Sequence, residues 1–126
     1  MVMRIASVDK DQYDKCKELG LWGDENFSIN SWKVGDLLVF KGKNTIRGIA
    51  KVVGKAFKDD LIIWDNGFYP NRIKIEIVKE FNSEEGKEAF ELYRDSMIAV
   101  YGNKYGWVVL NKLPIDSEIE KKLNTL

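Results

Sequence analysis

The sequence predicts an α+β fold: a small, curled, mostly antiparallel β-barrel of about six strands flanked by helices. Three observations lead there. Strand-patterned segments cluster in the middle of the chain, between residues 36 and 81, and short turns join them. The longest of these segments carries glycines at 48 and 54, where a sheet bends or bulges. Strands and helices do not alternate as a doubly wound fold requires.

In chain order, Met1 to Val8 reads as a strand of apolar and small residues. Asp9 is placed to cap a helix, with Gln12 as its reciprocal partner. Tyr13, Cys16 and Leu19 recur at helical spacing, and Gly20 ends the helix. LWGDENFSINSW is a polar connection with room for a short helix ending near Trp32. KVGD is a turn, DLLVFK a continuous apolar strand, and GKNT a hairpin loop leading into the strand IRGIAKVVGKAF. LIIW (61–64) reads as a short strand before the loop DNGFYPN. RIKIEIVKEF alternates, with Ile73, Ile75 and Ile77 inward and Lys74, Glu76 and Lys79 outward, so one of its faces is wet. SEEGKEAFELYRD (83–95) is a helix capped by Ser83. MIAVYG and GWVVLNKL suit a hairpin across NKY. Pro114 opens a last helix, with acids early and lysines late as its dipole favours.

The 126 residues suit one domain, 1–126, with a core. Lys plus Arg equals Asp plus Glu at 20 each, which argues against a general polyanion binder but leaves room for a local basic rim. There is no histidine, which removes the commonest general base, the Ser-His and Cys-His pairs and the commonest zinc ligand. The lone Cys16 makes neither an internal disulfide nor a thiolate metal site. No phosphate-cradling glycine loop is present, since Gly48 and Gly54 lie six apart inside a strand pattern. No carboxylate pair or nucleophile with a base stands out, so the expectation is a non-enzymatic protein without a cofactor or metal. No apolar run approaches a membrane span, and a cytoplasmic, soluble protein is expected. The lysine-rich, charge-rich composition points weakly to a thermophile.

The tryptophans are the remaining signal. Four is many for this length: Trp22 and Trp64 border loops, Trp32 precedes a turn, and Trp107 falls in a strand pattern. On composition alone each reads as core first and ligand contact second.

The order of motifs adds to this. "LGLWG" after the first helix is followed by "WKVGDLLVFK", "IRGIAKVVGKAFKDD", "YPNRIKIEIV" and finally "GWVVLNKLPIDSEIEKKL". This order resembles the EVE domain family of the PUA-like superfamily, which also contains the YTH domains, and the likeness spans nearly the whole chain. The resemblance implies a curled sheet with a cleft that accepts a flipped-out methylated base, as YTH domains accept N6-methyladenine in RNA. Similar domains form the N-terminal specificity modules of archaeal McrB-type restriction proteins. An AAA+ motor or nuclease is then an expected partner, with modified DNA the favoured ligand and RNA, either N6-methyladenine-bearing or tRNA or rRNA, the alternative; a nucleotide-processing enzyme using the same cleft ranks behind both. Stacking of a base on an aromatic ring contributes about 1–3 kcal/mol, and a buried methyl adds about 0.8 kcal/mol.

By position, the resemblance makes Trp22 the first wall of an aromatic cage. Gly23 offers backbone to an exocyclic amine, and Trp64 is the second wall. Ser7, Asp9 and Tyr13 lie where the base edge is contacted, although Asp9 is equally a helix cap. Arg72 either binds phosphate or braces the barrel, and Lys41, Lys43 and Arg47 form a phosphate-contacting rim or a solvated turn. The chain departs from the family in lacking its longer basic C-terminal stretch and in carrying Phe40-Lys41 where a tyrosine is common.

Overall fold

The computed structural model describes all 126 residues. Its strands are β1 (Met3–Ser7), β2 (Leu21–Asp24), β3 (Leu37–Gly42), β4 (Thr45–Val52), β5 (Phe57–Lys58) and β6 (Asn71–Glu80). Its helices are α1 (Lys10–Leu19), α2 (Ser83–Tyr101), α3 (Tyr105–Leu110) and α4 (Ser117–Asn124), with 3-10 turns at Phe27–Ser31 and Gly102–Lys104. The sheet runs β1-β3-β4-β6-β2, with β5 also on β6. Only β1–β3 is parallel. The sheet curls into a half-barrel, as the α+β expectation requires.

The curl has a local cause. Register shifts fall between Phe40 and Lys41 and between Ile49 and Ala50, and such irregularities bend a strand and increase its twist. At Gly48 a Cβ would stand 2.5 Å from the Tyr13 hydroxyl and 2.9 Å from the Lys79 carbonyl. Glycine here lets α1 lie close on the bent sheet.

Burial on both faces explains why DLLVFK is apolar throughout. Leu37 and Val39 join Met3, Ile5, Phe90, Tyr93, Met97 and Ile119 under α2 and α4. Leu38 and Phe40 point the other way, into a second core with Tyr13, Cys16, Trp22, Trp64 and Ile73. The functional question belongs to this second core, under α1 and the 59–70 loop.

Helix α1 begins as expected: the Asp9 carboxylate accepts from the Gln12 N–H at 2.7 Å, and Gly20, with φ 64°, ends it. The reciprocal contact differs, because the Gln12 side chain accepts instead from Asn66 at 2.9 Å. The stretch after Gly20 is no loop. The Gly20 carbonyl accepts from the Ile75 N–H at 2.9 Å, and Leu21–Asp24 then pairs antiparallel with β6, Trp22 opposite Ile73.

Three other expectations change. LIIW joins no ladder; the Leu61 N–H donates to the Asp59 carboxylate at 3.0 Å and the Leu61 carbonyl accepts from Arg72. Helix α2 is capped by Asn82 rather than Ser83: Asn82 accepts from the Glu85 N–H at 2.9 Å, and Glu85 accepts from the Asn82 N–H at 3.1 Å. The hairpin over 97–113 is replaced by helix, because α2 continues to Tyr101 and α3 follows. Helix α2 runs on from the expected 83–95 segment with Met97 buried on the same face as Tyr93, and α3 buries Val108; this packing outweighs the β-branched and aromatic preferences of the stretch. Trp107 therefore stands on α3, 61% exposed, and not in a strand core. No helix is long and apolar enough to cross a membrane.

Candidate nucleic-acid interface

A cleft of 380 Å³ opens where the ends of β1, β2 and α3 meet the 64–69 loop. Trp22 and Gly23 line it from β2, Ser7 from the end of β1, Gln12 from α1, and Leu110 and Lys112 from the end of α3. That volume suits a small planar ligand. The Trp22 ring is 3% exposed. It packs on Phe40 with centroids 5.8 Å apart, and its indole N–H donates to Asp24 at 3.4 Å. The Lys112 ammonium stands 5.7 Å from the Trp22 ring centroid and 3.3 Å from the Asp24 carboxylate. Lys112 holds this place from a left-handed backbone position, φ 50°, past the end of α3. Its N–H donates to the Val109 carbonyl at 3.1 Å, as at a helix C-terminus.

Tyr69 forms another wall of the cleft. Burial pushes its phenol above the ordinary value, and the charges of Glu25, Asp9 and Asp24 push it further. Asp24, Glu25 and Lys112 are the charged residues that line the cleft.

Trp64 is 2% exposed and meets Tyr69 edge-on at 5.7 Å. It lines an adjoining hollow of 250 Å³ with Asp9, Gln12 and Asn66, and the Asn66–Gln12 hydrogen bond lies between this hollow and the Trp22 cleft. Trp64 also explains Gly23: a Cβ at 23 would fall 2.5 Å from the Trp64 Cη2 and Cζ3 atoms and 2.8 Å from the Tyr69 Cβ. Gly23→Ala is expected to displace the Trp64 ring and lower stability by about 1–3 kcal/mol through overpacking, with a shift in tryptophan emission. Chemical denaturation checks the first outcome and fluorescence the second; an unchanged spectrum would count against the close packing. Beside Trp64, burial pushes the Cys16 thiol up to about 12, with the Trp64 indole N–H acting in the opposite direction. A protonated, buried thiol is inert at neutral pH.

The remaining sequence candidates separate in space. Ser7 is exposed at the rim of the Trp22 cleft, and Asp9 caps α1 while accepting from Asn66 at 3.2 Å. Tyr13 lies in a different groove with Arg47, Lys10 and Lys17. Its hydroxyl donates to Glu80 at 2.8 Å, and burial followed by Glu80 raises its pKa well above the ordinary range. Arg47 lines that groove with its guanidinium against Gly42, and Lys43 is exposed in the hairpin turn. Lys41 turns toward α2, its ammonium 5.7 Å from the Phe90 ring. Arg72 is 1% exposed and braces the 59–70 loop: it donates to the carbonyls of Tyr69 and Leu61 and lies 5.4 Å from the Trp64 centroid. Asn66, Tyr69, Leu110 and Lys112 escaped the sequence reading, since only the tertiary fold brings them to Trp22; Asp24, two residues along β2, was close in sequence but carried no motif signal.

No protein-family model matches the sequence, and no curated protein matches it. Solved structures do. The YTH domain of Pho92, in complex with m6A, matches with a TM-score of 0.51 at 18% identity, over 66% of this chain and 60% of that one. The YTH domain of Zygosaccharomyces rouxii MRB1, in complex with N6-methyladenosine RNA, matches with 0.52 at 17% identity, over 63% and 59%. A hypothetical protein from Leishmania major matches with 0.62 at 14% identity, over 99% and 96%. The chain thus spans about three fifths of the length of these two YTH structures. The fold is similar to that of YTH domains.

Proposed function

We propose that this chain is a non-catalytic reader that takes a methylated base of RNA into the Trp22 cleft. The observation that carries the reading is an indole face at the base of a polar-rimmed cleft, on a fold similar to two YTH domains solved with m6A and with N6-methyladenosine RNA. Ser7, Asp24 and Asn66 supply groups for the base edge, and Leu110 an apolar contact for a methyl. The ligands of those similar structures favour RNA over the DNA expected from the sequence. A DNA-reading, EVE-type module working with an AAA+ motor or nuclease rests on the order of sequence motifs alone. With equal positive and negative charge, the chain gains little from phosphate attraction, so the base must supply most of the selectivity.

The test is quenching of tryptophan fluorescence by short single-stranded RNAs carrying one methylated base, with unmethylated RNA and matched DNA as competitors. Methylated RNA is expected to bind about tenfold or more tightly than unmethylated RNA, a difference within the reach of stacking and methyl burial. Trp22→Leu, which keeps an apolar side chain in the core, is expected to abolish the difference while circular dichroism stays that of the parent. Equal binding of methylated and unmethylated RNA would end the proposal, and tighter binding of methylated DNA would replace RNA by DNA.

A further inference from the structure

The stacking face of Trp22 already has a cation on it. Lys112 holds its ammonium over the ring and against Asp24. Asp24 is 5% exposed, and its other contacts come from neutral donors: the Trp22 indole N–H and the Asn26 backbone N–H, at 3.0 Å. Lys112 is the more exposed partner, its side chain at 22%. Glu25 adds a second carboxylate to the cleft wall, so Asp24 and Glu25 outnumber the single Lys112.

A base that stacks on Trp22 takes the place of the Lys112 ammonium. A neutral base would leave the Asp24 carboxylate without its cation in a nearly dry site, which is costly for a buried charge. A base methylated on a ring nitrogen, and thereby positively charged, exchanges charge for charge. It also gains from the same indole face, which attracts cations. Resting on the reading of this cleft as a base pocket, we infer that it selects methylated bases carrying a positive charge, such as N1-methyladenine or 7-methylguanine, over neutral ones such as N6-methyladenine. Asp24 is then the specificity-determining residue, and Lys112 occupies the site until the base arrives.

N1-methyladenine and N6-methyladenine are isomers, so two RNAs that differ only in the position of one methyl separate charge from size. In fluorescence titrations at neutral pH, the N1-methyl RNA is expected to bind about tenfold more tightly. Asp24→Asn is expected to bring the two within about twofold of one another. Lys112→Met, a substitution at the rim, is expected to tighten the N1-methyl RNA more than the N6-methyl RNA, and it keeps the test open if Asp24→Asn folds poorly. An N6-methyl RNA that binds as tightly as its isomer overturns the charge preference and leaves the reader intact. Failure of every methylated RNA to exceed its unmethylated counterpart overturns both.

Discussion

Arg72→Met is expected to lower the free energy of unfolding by about 3 kcal/mol, and the melting temperature by about 10 °C. The guanidinium is 1% exposed, so its replacement strands what it holds. It donates to the Tyr69 carbonyl at 3.1 Å and to the Leu61 carbonyl, stands 3.6 Å from Asp59 and covers Trp64. A methionine fills much of the volume but satisfies neither carbonyl. The 59–70 segment has no strand pairing of its own, and Leu61 and Ile62 are 64% and 74% exposed; besides Arg72 it is held by the Asp59 N–H donating to the Pro70 carbonyl at 3.0 Å, by Asn66 donating to Asp9 and Gln12, and by the buried Trp64. Limited proteolysis should cut first in this loop in the variant, and chemical denaturation gives the magnitude. A loss below about 1 kcal/mol would mean that the loop is held by other contacts.

Asp36→Ala is expected to be as damaging, at about 3–5 kcal/mol, because it leaves a buried cation unpaired. Asp36 and Arg4 are 5% and 8% exposed and meet at 2.9 Å. The Arg4 guanidinium also lies 5.0 Å from the Trp32 ring. The Asp36 carboxylate accepts from the Lys33 N–H at 3.0 Å and the Val2 N–H at 3.3 Å, tying the 33–36 turn to the start of β1. Burial by itself raises the Asp36 pKa, but the Lys33 N–H, Arg4 and the Val2 N–H outweigh it and hold the carboxyl below its ordinary value of 3.8. The folded pKa is thus the lower one. The stabilising contribution is present above the unfolded value and is lost as the pH falls through the folded value. Denaturation midpoints measured across that acid range should fall more steeply for the parent than for Asp36→Ala. Parallel curves would show that Asp36 does not govern the acid limb.

The strands that read correctly from sequence are those whose pattern and environment agree. RIKIEIVKEF alternates because one face of β6 is wet over much of its length, and DLLVFK is continuous because β3 has two cores. Strand β2 escaped notice because LWGD is four residues long, without alternation, and becomes a strand only when Gly20 swings it onto β6. LIIW has a strand's composition, but an arginine side chain occupies its carbonyl at Leu61. The 97–113 stretch carries local β preference, but α2 is already helical through Tyr93 and runs on past the buried Met97 to Tyr101, and α3 packs through Val108. At the cleft, Trp22, Gly23 and Ser7 were legible from the order of motifs. The Asp24–Lys112 pair was not, since it joins distant parts of the chain and depends on a left-handed lysine at the end of a helix that the sequence did not announce.

The strand order puts β1 at one border of the sheet and β2 at the other, so the first 24 residues furnish both borders, with α1 running between them. Ser7 and Trp22 nevertheless line one cleft, because the curl brings the two borders round toward each other. The cleft is the seam of an incompletely closed cylinder. A molecule seated in it touches both lips and acts as a staple, so occupancy and resistance to fraying are thermodynamically linked. Amide hydrogens of β1 and β2 should then exchange more slowly when the cleft is filled.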